Sequence, residues 1–419
     1  MMWPMTSATP STSANGPLHG VRVLDLTRVL TGPHATRMLA DLGAEVIKLE
    51  PPDGDLTRFS APRVGSMATY FLQQNAGKAS LSLDLSHAEG VALLKRLAQH
   101  SDVLVENFRP GVMDRLGLGP QALLAEAPRL VYVSISGYGS TGPWRHRRAY
   151  APVIGAESGM TKAQADGRDG SVVNDPHSHA DVYTAMEAAT AVLAALYQRE
   201  HTGRGQWVDV SMAETMLYVN EHVHDHLYDG PVDPRWIRSF QPHQYPVLTV
   251  ADGTTMVVSG HPAERGTFDR FIAAMQQPEL ADDPRFADVP TRLVHLDDLM
   301  AAMRAWASSL PDAATLEASL DAHGLAAGVV RSVRDLADTP WAAERGSIAM
   351  VDDRKGGTVR VPAPPWRFSD ATVGNHEGPR FRGEDNHRVL REVLGLTDDT
   401  LADLDARGVL SQRLPDSRP

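Results

Sequence analysis

The sequence contains no cysteine in 419 residues, and it has no uncharged apolar run long enough to span a bilayer. The absence of cysteine excludes disulfides, thiolate metal sites and every cysteine-nucleophile mechanism, including that of the thiolases. Basic residues are also in deficit, since 40 Lys and Arg stand against 52 Asp and Glu and give a net charge of −12. This balance argues against a nucleic-acid-binding protein, which needs a basic face. An anionic small ligand needs only a local basic pocket.

The amino-terminal residues carry neither the basic segment nor the apolar core of a signal peptide, so we expect a cytoplasmic protein with no membrane partner. Residues 1–16 are mostly small and polar, with little to bury, and they predict a disordered leader.

Short apolar strands alternate with helical segments between residues 17 and 225. The pattern predicts strands at 21–26, 45–50, 79–83, 102–106, 130–136 and 207–212, with helices at 33–42, 88–99 and 180–200. Such alternation favours parallel pairing, with ligands bound beyond the carboxyl ends of the strands. We therefore predict an α/β fold whose large domain covers residues 17–225.

Residues 226–330 have a different pattern, which predicts a smaller α+β domain. Apolar runs at 245–250 and 254–258 flank Asp252-Gly253, a strong hairpin signal, and helices are expected at 267–275, 296–309 and 313–323. Residues 331–419 are predicted to be a Pro- and Gly-rich linker and a C-terminal segment that returns to the large domain. One short helix is expected there, at 386–394.

Two motifs suggest other chemistries, but each lacks its structural context. Gly137-Tyr138-Gly139-Ser140-Thr141-Gly142 matches the dinucleotide-binding GxGxxG, yet the residues after it lack the periodicity of the helix that must face the pyrophosphate. A dinucleotide-dependent oxidoreductase is therefore a minor alternative. His222, His224 and His226 resemble a metal cluster, but they are better explained as solvated side chains at a helix end, and we predict no metal site.

Asp181 stands at the predicted start of the long helix 180–200. Unpaired N–H groups and the helix dipole stabilise negative charge there, so we expect a lowered pKa and an ionised carboxylate. Position alone favours an ordinary helix cap, because Asp is a common capping residue.

Five ordered segments resemble the class III CoA-transferases, the family of formyl-CoA:oxalate and carnitine CoA-transferases that also contains α-methylacyl-CoA racemases. The resemblance runs from about Gly20 to Met216 and is carried by residues 24–33, 41–50, 106–111, 136–143 and 202–206. It implies a Rossmann-like large domain and an interlocked homodimer in which each chain threads through the other.

In this family the Asp that opens the long helix is the nucleophile, and Asp181 matches it. The resemblance implies that this carboxylate attacks the thioester of an acyl-CoA donor, and that an aspartyl anhydride and then an aspartyl-CoA thioester carry the coenzyme to a carboxylic acid acceptor. No permanently bound cofactor is implied, because the CoA thioester is itself a substrate.

The resemblance also implies a binding site for each substrate. The positions that match CoA contacts are Val29, Lys78, Asn107, Phe108, Arg115 and Arg148, and those that match substrate contacts are Leu30 and Tyr150. Formyl-CoA:oxalate transferases carry Gln and Glu where this chain has Leu30 and Ala151, so specificity for oxalate or formate is not implied. Arg28 and Arg148 suit a dicarboxylate such as succinate, although each could equally serve CoA or a structural ion pair.

Two further alternatives are open at this point. A racemase pairs the Asp with a His, and the matching position here is Tyr150, which favours transfer over racemisation. A CoA-binding protein without turnover would use Asp181 only as a cap.

Overall fold

The computed structural model describes residues 15–168, 170–231, 242–374 and 377–413. Of the predicted leader, residues 1–14 lie outside the described residues. The chain forms two compact units: a large one of Met1–Ala165, Ser171–Leu227 and Trp341–Pro419, and a small one of Asp166–Gly170 and Tyr228–Pro340. Within the described ranges, no helix is both long and apolar enough to cross a bilayer.

The strands are β1 (Arg22–Asp25), β2 (Glu45–Glu50), β3 (Arg63–Val64), β4 (Met67–Ala68), β5 (Ala79–Ser82), β6 (Val103–Glu106), β7 (Val131–Ser136), β8 (Trp207–Ser211), β9 (Val247–Thr249), β10 (Thr255–Val258), β11 (Ala327–Val329), β12 (Ile348–Asp352) and β13 (Thr358–Pro362). The helices are α1 (Thr31–Asp41), α2 (Thr69–Asn75), α3 (Ala88–Gln99), α4 (Val112–Arg115), α5 (Pro120–Glu126), α6 (Ala151–Glu157), α7 (Met160–Asp166), α8 (His179–Thr202), α9 (Met212–Tyr218), α10 (Val223–Leu227), α11 (Thr267–Met275), α12 (Val289–Val294), α13 (Leu296–Ser309), α14 (Ala313–Asp321), α15 (Val333–Ala337), α16 (Pro340–Arg345), α17 (Asn386–Leu394) and α18 (Asp398–Ala406).

A six-stranded sheet in the order β5-β2-β1-β6-β7-β8 forms the centre of the large unit, and every neighbouring pair is parallel. The predicted α/β class is confirmed. Chain order runs outward in both directions from the β1–β6 pair. In open α/β sheets, ligands bind outside the carboxyl ends of the strands where the order reverses in this way.

Helices cover both faces of this sheet, and the pleat distributes side chains between the two layers. Val23 and Val103 face the layer that contains α1 and α8, whereas Leu24 and Leu104 face the layer that contains α3, α17 and α18. Successive residues of a strand point to opposite faces, so strands covered on both sides must be apolar throughout.

The C-terminal part of the chain corrects the sequence prediction. Besides the predicted α17, residues 331–413 contain the antiparallel pair β12–β13 and three further helices, α15, α16 and α18, where only a linker and one helix were expected. In α18, Leu401 and Leu404 are the buried residues, and they join the α3 layer of the large unit. Two apolar residues among many acidic ones give too weak a period to predict a helix.

The small unit contains the sheet β11-β10-β9, in which both pairs are antiparallel. The predicted hairpin around Asp252-Gly253 is confirmed, with Gly253 in the left-handed region at φ 88°. Its core is packed from α11, α13 and α14 around Phe271, Met303 and Leu316.

Candidate active site

A cavity of about 400 Å³ opens beyond the carboxyl ends of β1, β6 and β7, at the point where the strand order reverses. Its lining comes from the segments that follow these strands, together with the starts of α8 and α9. The lining residues are Arg28, Val29, Leu30, Thr31, Leu56, Asn107, Phe108, Arg109, Pro110, Ile135, Ser136, Gly137, Arg145, Arg147, Arg148, Ala149, Tyr150, Asp181 and Met212. Seven of the nine predicted site residues are therefore brought together, and Lys78 and Arg115 are not among them.

Asp181 lies in the first turn of α8 and is partly buried. Thr31, the first residue of α1, donates a hydrogen bond from its hydroxyl to Asp181 Oδ1. Burial raises the pKa of Asp181 above its ordinary value, and the Thr31 hydrogen bond opposes part of that rise. The expectation of a lowered pKa was therefore wrong, because desolvation of the carboxylate outweighs the Thr31 hydrogen bond.

The segment after β1 is held in an unusual conformation. Val29 has a φ of 70°, in the left-handed region that a β-branched residue rarely occupies, and its N–H donates to Asp55 Oδ2 over 3.2 Å. Strain of this kind persists only where surrounding contacts fix the backbone, and it is concentrated at functional sites. The predicted Val29 and Leu30 both line the cavity.

Asn107 connects the segments that follow β1 and β6. Its Oδ1 accepts from Arg28 N–H over 2.9 Å, and its Nδ2 donates to Arg28 O over 3.0 Å. The neighbouring Phe108 lies beneath the Arg28 guanidinium, whose carbon is 5.6 Å from the ring centroid. Asn107 therefore stabilises the cavity wall by holding the backbone of Arg28 in place.

Lys78 does not reach the cavity. Its side chain is 1% exposed and its ammonium donates to Asp25 Oδ2, Thr36 Oγ1, Asn75 Oδ1 and the carbonyl of Pro33, at 2.8–2.9 Å. Burial lowers the pKa of Lys78 to about 8 despite the partnership with Asp25. In this structure the ammonium is bound by these four acceptors and is not presented to a phosphate.

Arg115 is exposed at the end of α4 and does not line the cavity either. Arg148 and Tyr150 do line it, and both side chains are exposed, Tyr150 by 69%.

Three more arginines line the cavity and were not singled out from the sequence: Arg109, Arg145 and Arg147. Arg147 lies 4.6 Å from the ring centroid of Trp144 and pairs with Glu157. Of the lining residues that the structure describes, Asp181 alone is acidic, so the cavity suits anionic ligands. The run Arg145-His146-Arg147-Arg148 was the available sequence signal for this basic wall.

A second cavity, of about 300 Å³, shares Arg109, Pro110 and Arg145 with the first. Glu106 lines it and accepts from Phe108 N–H over 2.9 Å. Burial raises the pKa of Glu106 to about 7, and the nearby Asp114 adds to the rise.

The GxGxxG segment and the three histidines at 222, 224 and 226 were the motifs that suggested other chemistries. After the GxGxxG segment the next helix, α6, begins only at Ala151. His222 Nδ1 lies 3.3 Å from Asp225 Oδ2, and in the described part of the chain no group of three or more His, Asp or Glu side chains is placed to hold a metal ion.

Comparison with known proteins identifies the family. The model of CoA-transferase family III matches residues 18–386. Succinyl-CoA–D-citramalate CoA-transferase of Chloroflexus aurantiacus is 36% identical over 404 residues, 94% of this chain and 98% of the relative. Succinyl-CoA:glutarate CoA-transferase of Mus musculus is 32% identical, over 94% of this chain and 91% of the relative.

A solved structure agrees with these relatives. The crystal structure of a CAIB/BAIF family protein from Brucella suis has a TM-score of 0.77 and 31% identity, and the match covers 90% of this chain and 100% of that one. The resemblance found in the sequence is confirmed: the chain belongs to CoA-transferase family III.

Proposed function

We propose that this protein transfers coenzyme A from an acyl-CoA donor to a carboxylic acid acceptor, with Asp181 as the covalent nucleophile. The observation that carries the proposal is the position of Asp181, which among the described lining residues is the one carboxylate in a cavity that also contains five arginines. The relatives, which are named as CoA-transferases, support the same reaction.

The chemistry follows from a carboxylate, a thioester and an acid. The Asp181 carboxylate attacks the acyl carbonyl carbon, the C–S bond breaks, and CoA leaves as a thiolate. The thiolate then attacks Cγ of Asp181 in the mixed anhydride and releases the donor acid as its carboxylate. The acceptor carboxylate attacks the resulting aspartyl-CoA, and the two steps run in reverse. Every covalent bond that forms or breaks belongs to Asp181 or to the substrates.

Because Arg28 and Arg148 line the cavity, we propose that they bind a second, distal carboxylate and that the acids are dicarboxylates. The names of the succinyl-CoA-dependent relatives favour the same class. A hydrogen bond to a charged group contributes about 1.5–3 kcal/mol, which corresponds to roughly 10–100-fold discrimination. With succinate and butyrate as acceptors, wild type should prefer succinate by about that factor, and Arg148→Ala or Arg28→Ala should lose the preference. Equal rates with both acids in wild type would contradict it.

We further propose a Rossmann-like large domain and a homodimer. The strand order, with its reversal at β1–β6, supports the first. Three exposed apolar residues of α8, Met186, Leu193 and Tyr197, support the second, because their spacing puts them along one side of the helix. Sedimentation should give twice the mass of 45.4 kDa, and Leu193→Lys should weaken the assembly.

The decisive experiment is intact-protein mass spectrometry after mixing with a panel of acyl-CoAs, with borohydride to trap thioesters. Wild type should carry a CoA-sized adduct on Asp181, and Asp181→Ala should carry none. Glu187→Ala is the matched control, since it removes another carboxylate of α8 that does not line the cavity. It should form the adduct normally.

Two outcomes would overturn the proposal. Deuterium exchange into a 2-methylacyl-CoA without any adduct would favour a racemase. Retained CoA binding in Asp181→Ala, beside a wild type that forms no adduct with any donor, would leave Asp181 as a cap and the protein as a CoA-binding protein.

A further inference from the structure

The hydroxyl of Thr31 is the side-chain donor that the structure gives to the nucleophile. It donates a hydrogen bond to Asp181 Oδ1, and among the described residues no other side chain donates to this carboxylate. Thr31 and Asp181 are 150 residues apart in the chain and meet because the starts of α1 and α8 both border the cavity.

The donor is held firmly in place. Thr31 is 4% exposed, and it follows the strained segment around Val29. Next to it, a Cβ on Gly32 would lie 2.2 Å from Cβ of Thr27, so only glycine permits this close approach. Thr27 is itself bound to Asp25 through its N–H over 2.9 Å. A donor fixed in this way needs no reorganisation during a reaction, which is what makes such groups effective in catalysis.

The hydrogen bond also makes the two oxygens of Asp181 inequivalent. With Oδ1 bound to Thr31, Oδ2 is the oxygen with the freer lone pairs and becomes the bridging oxygen of the anhydride. When the CoA thiolate attacks Cγ, the new S–Cγ bond forms and the negative charge moves onto Oδ1. The Cγ–Oδ2 bond then breaks, Oδ1 returns to a carbonyl oxygen, and the donor acid leaves with Oδ2 and the electron pair.

We propose that Thr31 is a catalytic residue whose hydroxyl stabilises the oxyanion formed on Asp181 Oδ1 when aspartyl-CoA forms and breaks down. This inference rests on the proposed function of Asp181 and adds the group that stabilises its tetrahedral intermediates.

The test is the single-turnover rate of aspartyl-CoA formation, followed by rapid quench and mass spectrometry in Thr31→Val and Thr31→Ser. Removing one oxyanion donor typically slows a reaction by about 10²–10³-fold. We expect a loss of that size in Thr31→Val, an almost unchanged KM for acyl-CoA, and recovery in Thr31→Ser to within several-fold of wild type. Thr184→Val is the matched control, because it removes a buried α8 hydroxyl that bonds the carbonyl of Ala180 instead.

A pH profile separates this role from a structural one. The Thr31 hydrogen bond lowers the pKa of Asp181, so the acidic limb of kcat/KM should move to higher pH in Thr31→Val and return in Thr31→Ser. A Thr31→Val enzyme that forms aspartyl-CoA within threefold of the wild-type rate would overturn the inference and leave the proposed function intact. Failure of wild type to form any adduct would instead overturn the proposed function.

Discussion

Asp25 and Asp181 each accept a hydrogen bond from a threonine of α1, Asp25 from Thr36 and Asp181 from Thr31. Asp25 is fully buried at the carboxyl end of β1, where the Lys78 ammonium 2.9 Å away and the nearby Lys48 hold its pKa well below the ordinary range. Among the described residues no cation forms an ion pair with Asp181, and burial raises its pKa. A carboxylate fully compensated by lysines is a structural element, whereas a carboxylate left with one hydroxyl keeps the reactivity of its charge.

The largest expected effect comes from removing the carboxylate of Asp181, the proposed nucleophile. Asp181→Asn should lower turnover by roughly 10⁴-fold or more, as loss of a nucleophile does. It should leave the free energy of unfolding equal to or above that of wild type, because a desolvated and unpaired carboxylate is lost. Steady-state kinetics and urea unfolding of the same preparation measure both. A variant that is inactive because it unfolds would contradict the assignment.

Lys78→Met tests the other carboxylate, Asp25, by removing its ion-pair partner. Loss of one partner from a buried ion pair costs about 3–5 kcal/mol, so we expect a loss of that order in the free energy of unfolding. The KM for acyl-CoA of the folded fraction should stay near that of wild type. If Lys78 binds a CoA phosphate, as the family resemblance predicted, KM should rise instead while stability changes little.

Glu106 extends the comparison to a third buried carboxyl. Its folded pKa of about 7 exceeds the ordinary 4.5, so its contribution to stability is complete below pH 4.5 and is lost as pH rises through 7. From the size of this shift, Glu106→Gln should gain about 3 kcal/mol relative to wild type between pH 5 and pH 8. Unfolding curves at the two pH values test this, and parallel curves for wild type and variant would refute it.

The smallest expected effect concerns the strained segment around Val29, which lies between Asp25 and Thr31 in the chain. Val29→Gly should relieve a left-handed conformation that costs about 1–3 kcal/mol, offset by the roughly 0.5–1 kcal/mol that glycine loses in folding entropy. We expect a gain in stability of about 1 kcal/mol, measured by thermal unfolding. Val29→Ala keeps a Cβ in the strained conformation and should show no such gain.

Local pattern was sufficient for much of the fold. Strand β2 and helices α11, α13 and α17 have the bounds that the sequence predicted, because clear apolar periods and turn residues delimit them. The hairpin at Asp252-Gly253 followed from its turn chemistry. The β12–β13 pair and α18 were among the elements missed. The pair packs against Met67 and Leu72, far away in the chain, and α18 has only a weak apolar period.

The candidate site was predictable to a similar degree. Family motifs located Asp181 and the cavity wall, but the environment of each side chain required the structure. From the sequence, Lys78 is a cation available to a ligand, but the structure places Asp25 2.9 Å from its ammonium. The role of Thr31 could not be predicted, because it depends on a contact with a residue 150 positions away. Desolvation of Asp181 is likewise a property of the packing around it.

The Asn107 carboxamide has a consequence for how this scaffold can change. Because it bonds both the N–H and the carbonyl of Arg28, it fixes the backbone on both sides of this residue without using the residue's side chain. The side chain of residue 28 then projects into the cavity without being needed to hold the loop in place. Position 28 is therefore a place where evolution or an engineer can exchange one side chain for another while the backbone beneath it is preserved. If Arg28 binds the acid as we propose, such an exchange alters which acid is accepted.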